Sequence, residues 1–156
     1  MKKIDYNSIF DELFPICRSI TGEGYRKSLK ILKKYINFKI IKFPSGSKVF
    51  DWKVPLEWNI YDAYVLKNKK KIIDFKKNNL HIVSYSHPIN KHVSLDELNN
   101  HIFSIKKYPD LIPYVTSYYK KYWGFCLQDR KRKQLKKGKY HVVIKSKLSK
   151  GNVELG

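Results

Sequence analysis

The stretch KVFDWKVPLEWNI, residues 48–60, places the strongest local constraint on the fold. Two of the three tryptophans lie here, six positions apart, with Pro55 between them. A single amphipathic helix fits this stretch poorly, because proline lacks a backbone N–H and pushes the residue before it towards extended geometry. Phe50, Trp52 and Val54 alternate with charged residues, which is strand spacing. The stretch therefore predicts a short strand that enters a fixed turn and brings large rings over another surface.

The N-terminal third has the periodicity of two helices. The first has its apolar side chains on one face and stops at Pro15. The second has apolar residues at i, i+4, i+7 and i+11, with Thr21 as the expected N-cap and Asn37 as the expected end. Its apolar positions are Tyr25, Leu29, Leu32 and Ile36. The sequence FKIIKF then alternates as a strand before the turn PSGS.

From residue 48 onward the pattern is mostly that of β structure. The runs KIIDF and LHIVSYS predict strands, and PYVTSYYKKYWGFC predicts a strand, a loop and a strand. Ser94 and Glu97 form a capping box that predicts a helix over 95–104. The run QDRKRKQLKK predicts a short basic helix that stops at Gly138, and YHVVIKSKL resumes strand alternation.

The C-terminal residues KLSKGNVELG have the pattern of a strand, a Lys-Gly-Asn turn and the first residues of another strand. A domain seldom finishes two or three residues into a new strand. We therefore expect the protein to continue beyond this sequence.

The net charge of +20 raises the possibility of a nucleic-acid partner. Arginine, however, occupies only four positions among 33 basic residues, whereas nucleic-acid readers favour its bidentate fork. A lysine-coated, solvated surface is the preferred interpretation, and this includes the run RKRKQLKKGK. A basic nucleic-acid-binding protein is kept as a weaker alternative.

Composition favours a folded cytoplasmic protein of bacterial type. The 156 residues are 42% hydrophobic, which suffices for a core without disulfides. Cys17 and Cys126 lie far apart and are expected to be reduced thiols. No apolar run approaches the ~20 residues of a membrane span, and acids interrupt the N-terminal apolar segment, so neither a membrane association nor a signal peptide is expected.

Residues that could carry chemistry are few. The sequence has no P-loop, GxGxxG, GxSxG or HExxH motif. His87 and His92 share the loop HPINKH, but acids at ligand spacing are lacking, so no metal ligand and no catalytic residue is predicted. The aromatic residues between 118 and 125 could stack on sugars or bases, although a core or a domain contact is the more common role of such a cluster.

Three long motifs carry a specific resemblance. They are LFPICRSITGEG at 13–24, PSGSKVFDWKVPLEWNIYDAYV at 44–65 and IPYVTSYYKKYWGFC at 112–126. With HVSLDEL and YHVVIKSKL, this combination resembles bacterial aminopeptidase-like proteins of polysaccharide biosynthesis clusters. Members of that family are similar to co-catalytic zinc aminopeptidases, with an α/β peptidase domain interrupted early by a β-rich inserted domain.

The resemblance implies an α+β chain in three parts. Residues 1–48 would be the N-terminal helical segment of an incomplete α/β peptidase domain. Residues 49–150 would be a mainly β inserted domain with one or two short helices, and 151–156 would start a truncated continuation. On this pattern FDWKVPLEW is the crossing into the insert, where buried tryptophans would hold two domains together.

The resemblance also implies that the metal site lies elsewhere. In the family a His-Pro motif followed by acids comes after the insert, and His87-Pro88 lacks that continuation. We therefore expect an N-terminal fragment of a zinc hydrolase that holds no cofactor and is inactive alone. Its partner would be a C-terminal peptidase domain, in cis or in trans, and the full-length form would act on a peptide or amide.

Residues in the specific motifs are the candidates for contact with a substrate, because their side chains suit its polar or apolar groups. They are Arg18, Asp51, Trp52, Tyr119 and Trp123. A glycan- or peptide-binding module without catalysis is the main alternative function. Without the rest of its sheet, the helical segment should expose apolar faces through which the chain could self-associate.

Overall fold

The structure is a computed structural model that describes residues 5–156. It divides into two compact units. One contains the chain up to Asn59 together with Lys147–Gly156, and the other is Ile60–Ser146. Helices and several sheets occur together, so the predicted α+β class is confirmed. The domain boundaries expected near residues 48 and 150 stay a prediction.

The helices and strands follow one another along the chain as four α-helices, ten strands and a 3-10 helix in the described residues. In order they are α1 (Tyr6–Leu13), α2 (Glu23–Leu32), β1 (Ile41–Pro44), β2 (Lys48–Val49), β3 (Trp52–Lys53), β4 (Glu57–Lys67), β5 (Lys70–Asp74), the 3-10 helix (Asn79–His81), β6 (Ile89–Ser94), α3 (Leu95–Asn99), β7 (Ile102–Phe103), β8 (Phe125–Cys126), α4 (Asp129–Lys133), β9 (Lys139–Ser149) and β10 (Asn152–Leu155).

Both N-terminal helices form, but the second is shorter than its apolar stripe. The Asp5 carboxylate caps α1 by accepting hydrogen bonds from two backbone N–H groups at 3.1 and 3.4 Å. The predicted Thr21 cap is wrong, because Gly22, with φ 90°, precedes α2, and the Thr21 hydroxyl instead accepts the Trp58 N–H at 3.1 Å. A β-carbon at Gly22 would lie 2.2 Å from the Trp58 carbonyl oxygen, so only glycine fits.

The predicted end at Asn37 is also wrong. After α2 the chain tightens into turns in which the Lys34 and Tyr35 N–H groups donate three residues back, at 3.0 and 2.9 Å. As a result Ile36 lies outside the helix and is 58% exposed. Near the C-terminal end, β9 ends at Ser149 and β10 begins at Asn152, which confirms the strand, turn and strand predicted there. Strand β10 pairs antiparallel with β1.

The stretch 48–60 is a tight hairpin followed by a strand, and the single alternating strand predicted over Phe50, Trp52 and Val54 is wrong. Phe50 occupies the turn between β2 and β3 with φ 55° and a fully exposed ring. Val54 and Trp58 are buried, at 2% and 3% exposure. The long strand β4 was not predicted, since its buried positions change phase between Trp58 and Ala63 and so break the period of two.

The unit Ile60–Ser146 contains most of a four-stranded sheet in the order β5-β4-β9-β6. The strands predicted for KIIDF and YHVVIKSKL are confirmed as β5 and β9. Strand β6 occupies the expected HPINKH loop and pairs antiparallel with β9, with His92 opposite His141. Buried side chains from the sheet form the core of this unit, among them Val65, Ile73, Tyr140 and Val142.

Three predictions in this unit need correction. In PYVTSYYKKYWGFC the first predicted strand is reduced to an isolated bridge at Thr116, and only Phe125–Cys126 forms a strand. The run LHIVSYS is a 3-10 helix followed by buried, irregular chain, which pairs with neighbouring backbone through isolated bridges at Ile82 and Ser84. The helix predicted over 95–104 ends at Asn99, although the Ser94 hydroxyl does accept the Glu97 N–H at 3.1 Å as a cap. The basic helix before Gly138 forms as the short α4.

Candidate aromatic binding site

A pocket of about 520 Å³ lies in the unit Ile60–Ser146, and aromatic rings dominate its lining. We call it the aromatic pocket. It is lined by Phe103, Val115, Thr116, Ser117, Tyr118, Tyr119, Lys120 and Tyr122. Its volume falls within the range of small-molecule sites, about 300–1,000 Å³. The site is therefore large enough for a ligand of one or two rings.

The base of the aromatic pocket depends on a backbone exchange with Ser84. The Ser84 N–H donates to the Val115 carbonyl at 2.8 Å, and the Ser117 N–H donates to the Ser84 carbonyl at 2.9 Å. The next residue, Tyr85, is buried and has φ 67°, a left-handed conformation that is uncommon for a bulky side chain. Its ring meets Tyr118 edge to face at 5.8 Å. The irregular chain after the 3-10 helix thus contacts Tyr118 and the backbone of Val115 and Ser117, all of which line the pocket.

The walls of the pocket are tyrosines held by different contacts. The Tyr122 hydroxyl donates to the Asn100 carbonyl at 2.7 Å, and its ring meets Phe103 edge to face at 6.0 Å. The Tyr118 and Tyr119 rings lie 4.1 Å apart at 40° to one another. Tyr119 is 75% exposed, so a large part of its ring can meet a ligand. Ring faces of this kind pack against flat apolar surfaces.

The electrostatics of the pocket are simple. The hydrogen bond to Tyr119 raises the pKa of Tyr118, and burial raises the pKa of Tyr122. Both phenols therefore stay neutral at physiological pH. Lys120 is the single charged residue in the lining, and the lining is otherwise mostly apolar, with the Ser117 and Tyr122 hydroxyls donating to backbone carbonyls.

Of the five residues expected to contact a substrate, Tyr119 lines this pocket and Trp123 does not. The Trp123 ring stacks on the His101 ring at 3.6 Å and 14°, and the His101 Nδ1–H donates to the Trp123 carbonyl at 2.7 Å. The side chain of Trp123 is thus occupied by an internal contact. Val115 and Thr116 were missed, because only their long-range pairing with Ser84 places them at the pocket.

The other three candidates belong to the first unit. The exposed Arg18 guanidinium donates to the carbonyl of Leu13, the last residue of α1. Asp51 is exposed in the turn between β2 and β3, and Trp52 is half-buried at the start of β3. Their role in substrate contact stays a prediction.

A buried ion pair in the first unit was missed by the sequence reasoning. Arg26 donates to both oxygens of Glu57 at 2.8 and 2.6 Å, and Glu57 is only 8% exposed. These hydrogen bonds lower the pKa of Glu57 to about 2, against the opposing effect of burial. The Asn59 amide donates to the same carboxylate at 3.0 Å, while its oxygen accepts the Glu23 N–H at 2.8 Å. The network ties the start of α2 to the start of β4.

The donor set does not fit the zinc implied by the family resemblance. Within residues 5–156, no group of three or more His, Cys, Asp or Glu side chains is placed to hold a metal ion. His92 stacks on His141 at 4.5 Å, and His141 Nε2 hydrogen-bonds to Asn90 at 2.7 Å. His81 is buried and donates from Nδ1 to the Cys126 carbonyl at 2.8 Å, and burial lowers its pKa.

The two thiols are not activated nucleophiles. Burial raises the pKa of Cys17 to about 11 and that of Cys126 to about 12. Since the thiolate is the reactive form, both are weak nucleophiles near neutral pH.

The basic segment around α4 uses several of its cations internally. Arg130 pairs with Asp110 at 2.8 and 3.0 Å, and Lys133 pairs with Asp129 at 2.7 Å. Arg132 donates to the Asn99 carbonyl at 2.9 Å. These internal contacts favour a solvated helix whose cations pair within the chain over a surface that binds phosphate.

None of the helices in the described part of the chain is both long and apolar enough to cross a membrane.

Comparisons with known proteins show which proteins this chain is similar to and which family it belongs to. A Clostridium acetobutylicum protein provisionally named as a polysaccharide biosynthesis protein with an aminopeptidase-like domain is 53% identical over 152 residues. The match covers 97% of this chain and 35% of that protein. A crystal structure described provisionally as a peptidase from Clostridium acetobutylicum, at 2.37 Å resolution, matches with a TM-score of 0.88 and 52% identity. That match covers 94% of this chain and 35% of the other.

The names of these relatives confirm the resemblance to aminopeptidase-like proteins of polysaccharide biosynthesis. This chain spans about a third of the length of each relative. A family model described as a domain of unknown function, DUF2172, matches residues 57–147. That range nearly coincides with the unit that carries the aromatic pocket. The chain accordingly belongs to the DUF2172 family.

Proposed function

We propose that this chain forms the substrate-recognition part of an aminopeptidase-like zinc hydrolase that acts in polysaccharide biosynthesis. The observation that carries the proposal is the 53% identity with a relative of that name, of which this chain spans 35%. The zinc ligands and the catalytic carboxylate would come from the part of such an enzyme that this chain does not match. The metal-donor geometry supports this division, because residues 5–156 place no three donors together.

The partner in this proposal is a peptidase domain, joined in cis or supplied in trans. The surface of α1 supports it: Tyr6, Phe10 and Phe14 are 76%, 63% and 55% exposed, and none of the eight residues of α1 is buried. Large exposed rings on one helix usually mark an interaction surface. The partner domain would cover them, and the same face would allow the isolated chain to self-associate.

We further propose that the protein acts in the cytoplasm on a peptide or an amide. The free thiols of Cys17 and Cys126 support a reducing compartment. Arg18, Asp51 and Trp52 stay candidates for contact with that substrate, because they lie in the sequence motifs that carry the family resemblance.

The aromatic pocket favours a second candidate function, a glycan- or peptide-binding module without catalysis. Exposed tyrosine rings beside hydroxyls suit ligand binding as well as they suit substrate selection by an enzyme. The two functions differ in whether the chain increases hydrolysis when a peptidase domain is present.

A complementation assay tests the proposal. The purified chain would be mixed with the unmatched portion of the Clostridium acetobutylicum relative and zinc, and hydrolysis of an aminoacyl p-nitroanilide would be followed. We expect no hydrolysis by the chain alone and zinc-dependent hydrolysis by the mixture. Hydrolysis by the chain alone, or stoichiometric zinc retained by it after desalting, would overturn the division of labour. The proposal would also be supported if the relative hydrolyses the substrate when it is intact and loses that activity when its N-terminal third is removed.

A further inference from the structure

We propose that the aromatic pocket and the backbone edge beside it bind an extended peptide, one aromatic side chain of which enters the pocket. This inference rests on the proposed function and deepens it, because it names the class of substrate that the recognition part would select. Two separate features carry it, an unpaired backbone edge and an apolar cavity that borders the edge.

The backbone edge is formed by Tyr114 and Thr116. Between and after them, the Val115 carbonyl and the Ser117 N–H are both bonded to Ser84, at 2.8 and 2.9 Å. Neighbouring residues of extended chain direct their N–H and carbonyl groups to opposite sides, so Tyr114 and Thr116 direct theirs away from Ser84. In the described part of the chain neither has a backbone hydrogen bond, and both are exposed. This alternation of paired and unpaired residues is the pattern of an edge strand.

An exposed edge of this kind can pair with a second extended chain. Peptides that add a strand gain main-chain hydrogen bonds from the edge, while pockets beside the edge select alternate side chains. Thr116 belongs to both features, since it also lines the aromatic pocket together with Val115 and Ser117. A peptide paired with Thr116 would therefore have a side chain within reach of the cavity.

The lining of the cavity selects an apolar side chain. The Tyr122 hydroxyl donates to the Asn100 carbonyl at 2.7 Å and the Ser117 hydroxyl to the Ser84 carbonyl at 3.2 Å, so mainly ring surface is left for a ligand. An apolar group that fills the cavity loses contact with water and leaves few polar groups without a partner. The ring of Tyr119, 75% exposed, can stack on an aromatic side chain or meet its edge.

Charge limits the residues that can flank the aromatic side chain. The lining contains one charged residue, Lys120, and no acid. The whole chain has 33 basic residues against 13 acidic ones. A peptide rich in lysine or arginine is therefore repelled at long range, whereas a neutral or acidic peptide is not. The partner that fits is an extended peptide with an aromatic residue and few cations.

Titration calorimetry on the chain with synthetic peptides tests the inference without any hydrolysis assay. The probe is the blocked peptide N-acetyl-Ser-Thr-Phe-Thr-Ser amide. Alanine in place of its phenylalanine should weaken binding on the order of tenfold or more, since an aromatic side chain is no longer buried. Lysine in place of both serines should weaken binding by about two- to fivefold at low salt, and this difference should vanish at high salt.

The backbone pairing has a test of its own. Methylation of the peptide nitrogen of either the phenylalanine or the threonine before it should weaken binding in one of the two peptides and not in the other, because alternate N–H groups face the edge. In the chain, Thr116→Pro removes the N–H and should weaken binding about three- to tenfold, whereas Thr116→Ala keeps the N–H and should not. The amide NMR signals of Tyr114 and Thr116 should shift when the peptide binds.

Tyr119→Ala locates the aromatic side chain of the peptide. This variant should weaken binding of the phenylalanine peptide severalfold and leave binding of the alanine peptide unchanged, because the lost ring contacts only the aromatic side chain. The matched control is Tyr61→Ala, another exposed tyrosine of the same unit that does not line the pocket. The control should bind as the unaltered chain does.

No binding of the probe at millimolar concentration, or equal binding of the phenylalanine and alanine peptides, would overturn the inference. Equal effects of Thr116→Pro and Thr116→Ala, equal effects of the two methylations, or binding that survives Tyr119→Ala would overturn the location. These results are separate from those of the complementation assay. A chain that binds the peptide but supports no hydrolysis contradicts only the enzymatic role, and a mixture that hydrolyses substrate while the chain binds no peptide contradicts only this inference.

Discussion

The Arg26 guanidinium faces the Glu57 carboxylate with two hydrogen bonds, at 2.8 and 2.6 Å, across 31 positions of sequence. The carboxylate is nearly enclosed, with 11% of its side chain exposed, whereas 23% of the Arg26 side chain reaches solvent. The two ends of this pair are therefore unequal. If Arg26 is removed, the charge of Glu57 is left unpaired where water cannot hydrate it. If Glu57 is neutralised, the Arg26 guanidinium can turn towards water or towards Glu23, which it also contacts.

Removal of Arg26 should cost more stability than neutralisation of Glu57. We expect Arg26→Ala to lower the free energy of unfolding by about 3 kcal/mol, because it leaves a buried carboxylate unpaired. Glu57→Gln should cost less, since the amide keeps the shape and Arg26 keeps Glu23. Urea unfolding followed by circular dichroism measures both. Arg130→Ala is the control, because its pair with Asp110 is exposed on both sides and should matter little. Equal losses in the three variants would contradict the argument.

The same pair predicts a dependence of stability on pH. The folded state lowers the pKa of Glu57 from its ordinary 4.5 to about 2. A depressed carboxyl pKa gives stability that is fully present above about pH 4.5 and is lost as the pH falls towards 2. We expect the free energy of unfolding to decline across that window and the decline to be shallower in Glu57→Gln. An unchanged slope in the variant would show that other carboxyl groups govern the acid sensitivity.

The exposed face of α1 predicts binding of a hydrophobic dye by the isolated chain. Phe10 and Phe14 stack at 5.7 Å and are both more than half exposed, so they form one apolar patch with Tyr6. Dye fluorescence should rise on addition of the chain and fall in Phe10→Lys. The matched control is Phe50→Lys, which removes a fully exposed ring that stands alone in a turn. A monomer by light scattering that binds no dye would argue against an uncovered docking face.

Elements with regular apolar periodicity and local turn chemistry could be predicted from the sequence. The apolar face of α1 and the alternation of β9 have strong, uninterrupted periods, and both elements form. The start of α2 could not be predicted from local sequence, because it depends on the close approach of Gly22 to Trp58, 36 positions away. Strand β4 was missed because its buried positions change phase between Trp58 and Ala63, and pairing with neighbouring strands overrides the broken pattern.

The aromatic pocket was partly readable. Its tyrosines appear as an aromatic cluster in the sequence, and Tyr119 was among the residues expected to meet a ligand. The run LHIVSYS, however, has strand composition, and nothing local indicates that Tyr85 adopts φ 67° or that Ser84 pairs with the chain near Thr116. Those contacts close the base of the pocket, and they depend on loops that meet only in the folded chain.

The thiols should react slowly in the folded chain. With the pKa of Cys17 raised to about 11 and that of Cys126 to about 12, roughly one Cys17 side chain in a thousand is a thiolate at pH 8. We expect alkylation by iodoacetamide at pH 8 to be far slower than that of glutathione and to become rapid in guanidinium chloride. Mass spectrometry assigns the modified residue. Fast modification of either cysteine without denaturant would mean that its environment is open.

Chelation should leave the thermal stability of this chain unchanged. A bound ion stabilises a fold in proportion to its affinity, so removal of a structural or catalytic metal lowers the melting temperature. Residues 5–156 place no three donors together, and the nearest imidazole pair, His92 and His141, is stacked and hydrogen-bonded to Asn90. We therefore expect the same melting curve with EDTA, with zinc and with neither. The intact Clostridium acetobutylicum relative serves as the comparison, and there the proposed hydrolase should lose stability on chelation. A zinc-dependent rise in this chain that disappears in His141→Ala would instead identify the histidine pair as a metal site.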